Sequence, residues 1–209
     1  MRRVTRNFYL GTKGIGSDFP ISVQSMTKTD TRNINATVDQ IETLANAGCD
    51  IIRCAVPNIE AAKALKNIIR KIHIPLVADI HFEYTLALEA IKSGIQGLRI
   101  NPGNIGAVKR IKQVVSAAKD KGIPIRIGVN SGSLEKDILK KHGSPTSDAL
   151  VESAMRHIAI LDDLNFSDIK VSVKSTSVQI MQDSYRKLAT LTNIPLHLGV
   201  TEAGTYKIG

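Results

Sequence analysis

Short apolar runs recur along the chain at residues 21–25, 51–56, 76–80, 97–100, 125–129, 169–173 and 196–200. Each has the length of a strand, and most are rich in Val and Ile, whose branched side chains suit a covered, pleated surface. Between the runs the apolar spacing lengthens to that of a helix. Ala61, Leu65, Ile68 and Ile72 follow it, as do Val108, Ile111, Val115 and Ala118, and again Leu150, Ala154, Ile158 and Leu161. Gly48, Pro75, Gly97, Pro124 and Pro195 punctuate the starts of strands. This alternation predicts a parallel sheet with right-handed crossovers. It is unbroken and carries no Gly-rich dinucleotide fingerprint, which favours a closed barrel over an open doubly wound sheet. The expected fold class is therefore α/β, a TIM-type (β/α)8 barrel. With about seven strands in sight, it is expected to be incomplete at the C-terminus, truncated before an eighth strand. The segment from Phe8 to Phe19, with Gly11, Gly14 and Gly16, predicts a hairpin under the barrel. The long segment 130–146 predicts a helix start with Ser133 as its N-cap.

Alternation along each strand assigns side chains to the lumen or to the outer helices. The outer face must be apolar because helices cover it. On that rule Arg99 and Asn101 face inward, as do Arg126, Gly128 and Asn130, and Lys170, Ser172 and Lys174. Asp79 and His81 share a face. Arg53 lies in Ile51-Ile52-Arg53-Cys54-Ala55, where apolar residues occupy both parities and leave its direction open. Cations from several strands thus converge on one axis, and converging buried cations require anions. Asp79 and Glu202 are the carboxylates in position to help, too few for the balance. A guanidinium fork matches phosphate oxygens at two points, and Lys adds a point charge, so an anion with two phosphates would balance the site. Lys170 lies early in its strand and suits an internal ion pair; Lys174 lies at the C-terminal end, where barrel sites form. The turn at residues 101–106 offers backbone N–H groups for an anion nest, or is ordinary turn chemistry. Asp79 and His81 are candidates to orient a hydroxyl or move a proton, and Glu202 is the candidate acid/base.

Composition narrows the picture. The net charge is +9, spread along the chain without a basic arm, and aromatic residues make up 4% with no Trp. Base-stacking recognition of nucleic acid needs aromatic platforms, so no nucleic-acid partner is expected. Cys49 and Cys54 form a C-x4-C pair on a predicted strand, no C-x2-C pair exists, and no metal ligand set is expected from this chain. Neither an apolar leader nor a membrane-length apolar run is present, so the expectation is a cytoplasmic protein without a membrane partner.

The candidate residues arrive in strings. Ser22-Val23-Gln24-Ser25-Met26-Thr27, Leu98-Arg99-Ile100-Asn101-Pro102-Gly103-Asn104 and Ile125-Arg126-Ile127-Gly128-Val129-Asn130-Ser131-Gly132 are three of them. Lys170-Val171-Ser172-Val173-Lys174-Ser175 and Leu196-His197-Leu198-Gly199-Val200-Thr201-Glu202-Ala203-Gly204 are two more. Together they resemble the 4-hydroxy-3-methylbut-2-enyl diphosphate synthase (HMBPP synthase) family over essentially the whole chain. The resemblance implies an iron–sulfur oxidoreductase of the non-mevalonate isoprenoid pathway. Its reaction is the reductive ring opening of 2-C-methyl-D-erythritol 2,4-cyclodiphosphate. It implies electrons from flavodoxin or ferredoxin through a 4Fe-4S cluster, and a homodimer. By motif position it places phosphate binding on Arg53, Arg99, Arg126 and Lys174 with Asn130 nearby, the catalytic carboxylate on Glu202, and Asp79 and His81 beside the substrate. It implies that residues 1–209 are the N-terminal substrate-binding barrel. The resemblance implies a C-terminal cluster domain with three Cys and a Glu as ligands, which is expected to be absent from residues 1–209, and Cys49 and Cys54 do not match those ligands. Two other readings compete: a non-redox barrel transferase or lyase of dihydropteroate-synthase-like layout acting on a phosphorylated substrate, and a non-catalytic anion- or nucleic-acid-binding module, against which the aromatic scarcity and inward cations speak.

Overall fold

The computed structural model describes residues 2–106 and 108–199. A hairpin of β1 (Phe8–Leu10) and β2 (Lys13–Ile15) precedes a six-stranded parallel sheet in chain order. Its strands are β3 (Gln24–Met26), β4 (Ile51–Ala55), β5 (Leu76–Asp79), β6 (Gly97–Ile100), β7 (Ile125–Asn130) and β8 (Ile169–Lys174). Crossover helices follow: α1 (Ile34–Asn46), α2 (Ile59–Ile69), α3 (Tyr84–Lys92), the short α4 (Pro102–Ile105), α5 (Val108–Asp120), α6 (Lys136–His142), α7 (Ser147–Asp162) and α8 (Val178–Leu191). The expected incomplete β/α barrel is thus what forms.

The helix starts are chemically set. Asn33, Asn58, Thr146 and Ser177 each accept a hydrogen bond from a backbone N–H of the first turn of α1, α2, α7 and α8. In α7, Leu150, Ala154, Ile158 and Leu161 are all buried against the sheet. In α5, by contrast, Val108 is exposed, and Ile111, Val115 and Ala118 carry that helix's packing.

Two strands are shorter than their apolar runs suggest. The first is reduced to Gln24–Met26, with Ile21 and Val23 exposed, because it pairs with β4 alone. The seventh run contributes a single bridge, Val171 to Leu196, and Val200 lies outside the described residues. The helix foreseen at Ser133 begins later. Residues Ser131–Ser133 form a 3₁₀ turn, and Glu135 takes the N-cap position of α6.

The hairpin plugs the foot of the barrel. Phe8, Leu10 and Ile15 pack on Ile51 and Val77, which enter the lumen at the lower ends of β4 and β5. Above that apolar floor the lumen turns polar. Register ties the inward residues into rows: Asp79 pairs with Arg99, Arg99 with Arg126, and Arg126 with Lys170. Higher up, Asn130 pairs with Lys174. Among the described residues no helix is long and apolar enough to cross a membrane.

Candidate active site

Asp79 ends β5 and stands at the centre of the charge arrangement. Its carboxylate accepts a hydrogen bond from Arg99 Nη1 at 3.0 Å, lies 3.4 Å from Arg53 Nε, and lies 3.5 Å from His81 Nε2. Burial alone would raise its pKa. The bond from His81 and the charges on Arg99 and Arg53 outweigh that, and they hold the carboxyl well below the usual range. It is the one fully buried carboxylate among the described residues.

One carboxylate does not satisfy this many cations. Among the described residues Arg53 Nε and Arg99 Nε are buried without a hydrogen-bond partner. Arg53 Nη2 reaches Met26 Sδ at 2.9 Å, and a thioether is a weak acceptor for a guanidinium. Arg126 is the extreme case. It is 1% exposed, and among the described residues none of its three guanidinium nitrogens has a hydrogen-bond partner. Its row-mates are Arg99 and Lys170, on strands about 4.8 Å away to either side. Burial, then the charges of Arg53 and Arg99, pull its pKa down to about 9, so it keeps its proton at neutral pH.

The lysines feel the same field. Burial first, and then Arg126 and Arg53, bring Lys170 down to about 7; its ammonium reaches Gln24 Oε1 at 3.4 Å. Burial and the charges of Arg53, Arg126 and Arg99 bring Lys174 to about 8. A lumen so biased stores repulsion that an anion would release.

Above these residues opens a cavity of about 420 Å³, within the size range of small-molecule sites. Arg53, Asp79, His81, Arg99, Asn130 and Lys174 all line it, so six of the expected site residues meet at the C-terminal mouth. The direction of Arg53, open from the sequence, is inward.

The remaining expectations fall elsewhere. Arg126 faces the lumen but lies below the mouth cavity rather than in its wall. Asn101 also faces inward, yet its side chain is engaged as the N-cap of α4. It accepts from Gly103 N at 3.1 Å and donates to Ser133 Oγ at 3.4 Å. It does not line the cavity. Residues 101–106 turn into the short α4 instead of presenting an open nest, with Gly106 at φ +102°. Glu202 lies outside the described residues.

Several contributors had no distinctive sequence signal. Ser131, Gly132, Ser175 and Thr176 line the cavity simply because they follow the ends of β7 and β8. Gly128 matters by having no side chain: a Cβ there would meet Arg99 Nε at 2.7 Å and Nη2 at 2.9 Å.

The cysteines do not form a metal centre. Cys49 Sγ donates to the Ile51 carbonyl at 3.1 Å, and Cys54 is buried among outer-face residues, where burial raises its thiol to about 11. Among the described residues no group of three or more His, Cys, Asp or Glu could hold a metal ion. A 4Fe-4S cluster therefore does not fit the described residues.

The described residues thus define a parallel β/α-barrel domain with a polar mouth and an excess of inward guanidinium groups. The chain belongs to the family of the GcpE TIM-barrel domain, whose model matches residues 5–209. It is 58% identical over 204 residues to the 4-hydroxy-3-methylbut-2-en-1-yl diphosphate synthase (flavodoxin) of Clostridium perfringens (strain 13 / Type A), across 98% of this chain and 58% of that protein. It is 60% identical over 204 residues to the protein of the same name in Clostridium tetani (strain Massachusetts / E88), again across 98% of this chain and 58% of the relative. The chain thus spans less than two thirds of the length of these relatives. Among solved structures, Yersinia pestis dihydropteroate synthase is similar with a TM-score of 0.61 at 12% identity, over 91% of this chain and 74% of that one. That likeness is one of fold alone.

Proposed function

We propose that residues 1–209 are the substrate-binding barrel of a 4-hydroxy-3-methylbut-2-enyl diphosphate synthase, and that the mouth receives 2-C-methyl-D-erythritol 2,4-cyclodiphosphate. The observation that carries this reading is the unpartnered buried guanidinium of Arg126, between Arg99 and Lys170 and beneath a cavity lined by Arg53, Arg99 and Lys174. A diphosphate supplies acceptors for the guanidinium groups at the mouth in one ligand, and its charge offsets that of Arg126 beneath them. Its oxygens can take two-point contacts from Arg53 and Arg99 and a point charge from Lys174, while Arg126 stabilises them from below.

In this reading the chain's own residues bind and orient. Asp79 holds Arg99 and Arg53 in place and stays ionised, while His81 at the rim is placed to meet a substrate hydroxyl. Asn130 and Ser131 add neutral hydrogen-bonding groups at the wall. Glu202 is assigned an acid/base role from its place in the sequence. The overall reaction is a two-electron reductive ring opening with loss of water. The 4Fe-4S cluster it requires, and the flavodoxin or ferredoxin that feeds it, engage residues beyond this chain's described set. We assign the complete enzyme to a cytoplasmic homodimer; the free, buried thiols of Cys49 and Cys54 suit a reducing compartment.

The test is calorimetric titration of the chain with the cyclodiphosphate. Micromolar or tighter binding is expected, lost in Arg126→Ala at unchanged circular dichroism. No heat of binding by the folded wild-type chain would overturn the assignment.

A further inference from the structure

Behind the pocket wall lies a second group of ionisable side chains that the proposed reaction does not use. Glu135 occupies the N-cap position of α6, but its carboxylate makes no capping bond there. It turns instead to α7. Ser153 Oγ donates to Oε2 at 2.8 Å, and His157 Nε2 stands 3.2 Å from Oε1. Ser153 and His157 are buried, and among the described residues neither His157 Nδ1 nor Glu135 Oε1 has a hydrogen-bond partner, so the imidazole and the carboxylate meet as a close charge contact. Giving up a helix cap while burying an imidazole beside a carboxylate has a cost, and the arrangement orders the chain around it.

That order is directed at the mouth. The residue before Glu135 is the buried Leu134, and before that runs the 3₁₀ turn Ser131–Ser133. The turn begins where β7 ends, so Asn130, Ser131 and Gly132 line the cavity from it. Its last residue, Ser133, is tied to the β6 loop by the bond from Asn101, and Glu135, two residues further on, is tied to α7. The β6 loop in turn rests on the same imidazole: a Cβ on Gly103 would lie 3.3 Å from His157 Cε1 and 3.4 Å from Nε2. One buried ring therefore touches, directly or through Glu135, both loops that follow β6 and β7. Burial lowers the pKa of that ring, with a further lowering from the charge of Arg156, against the pull of Glu135.

We infer that His157 and Glu135 are positioning residues for the anion site, holding the Ser131–Ser133 turn so that Asn130, Ser131 and Gly132 face the ligand. This rests on the reading of the mouth as a diphosphate site. Neither residue touches the ligand; both act through the loop.

The experiment titrates the chain with the cyclodiphosphate by calorimetry and records amide spectra of the free protein. Wild type and Arg53→Ala serve as references, and a wild type that does not bind indicts the site reading rather than the positioning pair. With wild type binding, His157→Ala is expected to weaken affinity at least tenfold on the order of one lost contact network, and to move the Gly132 amide resonance before ligand is added. His157→Gln carries an N–H at the reach of Nε2 and is expected to recover most of both. Glu135→Gln keeps the side chain's size and serves where His157→Ala does not fold; it is expected to weaken binding and to move the same resonance. Affinity within twofold of wild type in a folded His157→Ala or Glu135→Gln, or a loss that His157→Gln leaves unrestored, would overturn the inference.

Discussion

Arg99 lies so close to Gly128 that a methyl group at position 128 would meet its Nε at 2.7 Å. The two residues sit on neighbouring strands, and the guanidinium uses the space a side chain on β7 would take. It also donates to Asp79 at 3.0 Å, so it cannot retreat without losing that bond. Gly128→Ala should displace Arg99. The overpacking is expected to cost about 1–3 kcal/mol of stability. Binding of a diphosphate should weaken about tenfold, the worth of one charge-assisted contact. Denaturant titration and calorimetry on the same variant check both; equal affinity in Gly128→Ala would show that Arg99 does not serve the ligand.

Arg126 predicts a conflict between stability and function. A buried guanidinium with no acceptor among the described residues, beside Arg99 and Lys170, destabilises the unliganded barrel. Arg126→Met keeps an unbranched, flexible side chain, shorter than that of arginine, and removes the charge. The free protein should gain about 1–4 kcal/mol while anion binding disappears. A thermal melt of the unliganded variant at or below that of wild type would contradict the repulsion argument.

Asp79 predicts the opposite. It is the carboxylate shared by Arg99 and Arg53, with His81 close by. Asp79→Asn leaves both guanidinium groups uncompensated and should cost about 3–5 kcal/mol. Its folded-state pKa is depressed, so its contribution is complete above the ordinary carboxylate range and drains away as pH falls below it. The wild-type stability curve should therefore drop below about pH 4, and the variant's should drop less. Urea titrations between neutral and strongly acid pH measure the difference.

Lys174 makes binding itself depend on pH. Its pKa is about 8 in the free chain, and a bound phosphate favours the ammonium, so the bound value must be higher. Affinity should be flat below that value and fall above it by up to about tenfold per pH unit, until the bound value is passed. The phosphates of a cyclodiphosphate are diesters and stay ionised throughout. Lys174→Arg keeps its charge and should flatten the profile between pH 7 and 9, a range spanning about one unit either side of the free value. Proton uptake on binding, read as a buffer-dependent heat at pH 8, is the direct check.

The sequence was legible where physics leaves one choice. The outer faces of β6, β7 and β8 are covered by helices and must be apolar, so alternation alone put Arg99, Arg126, Lys170 and Lys174 in the lumen, and all four are buried or half-buried there. Arg53 stayed ambiguous for a reason visible only in three dimensions. The floor of the lumen is apolar, closed by Leu10 and Phe8 against Ile51, so β4 carries apolar residues on both faces. Alternation also gives side but not height. Arg126 and Asn101 point inward as expected, but one lies under the cavity and the other caps α4. The pairing of Glu135 with His157 joins residues 22 positions apart on two elements and leaves no local pattern to read. The family resemblance located the mouth residues together, and the match to residues 5–209 agrees with it.

The partnerless Arg126 reaches beyond the chemistry. A barrel that repels itself when vacant opens more often, and opened chains are what proteases cut. Ligand that binds only the closed form shifts that balance by mass action. Cells short of the small anion would then also hold less of the protein, because the half-life of the one is tied to the supply of the other.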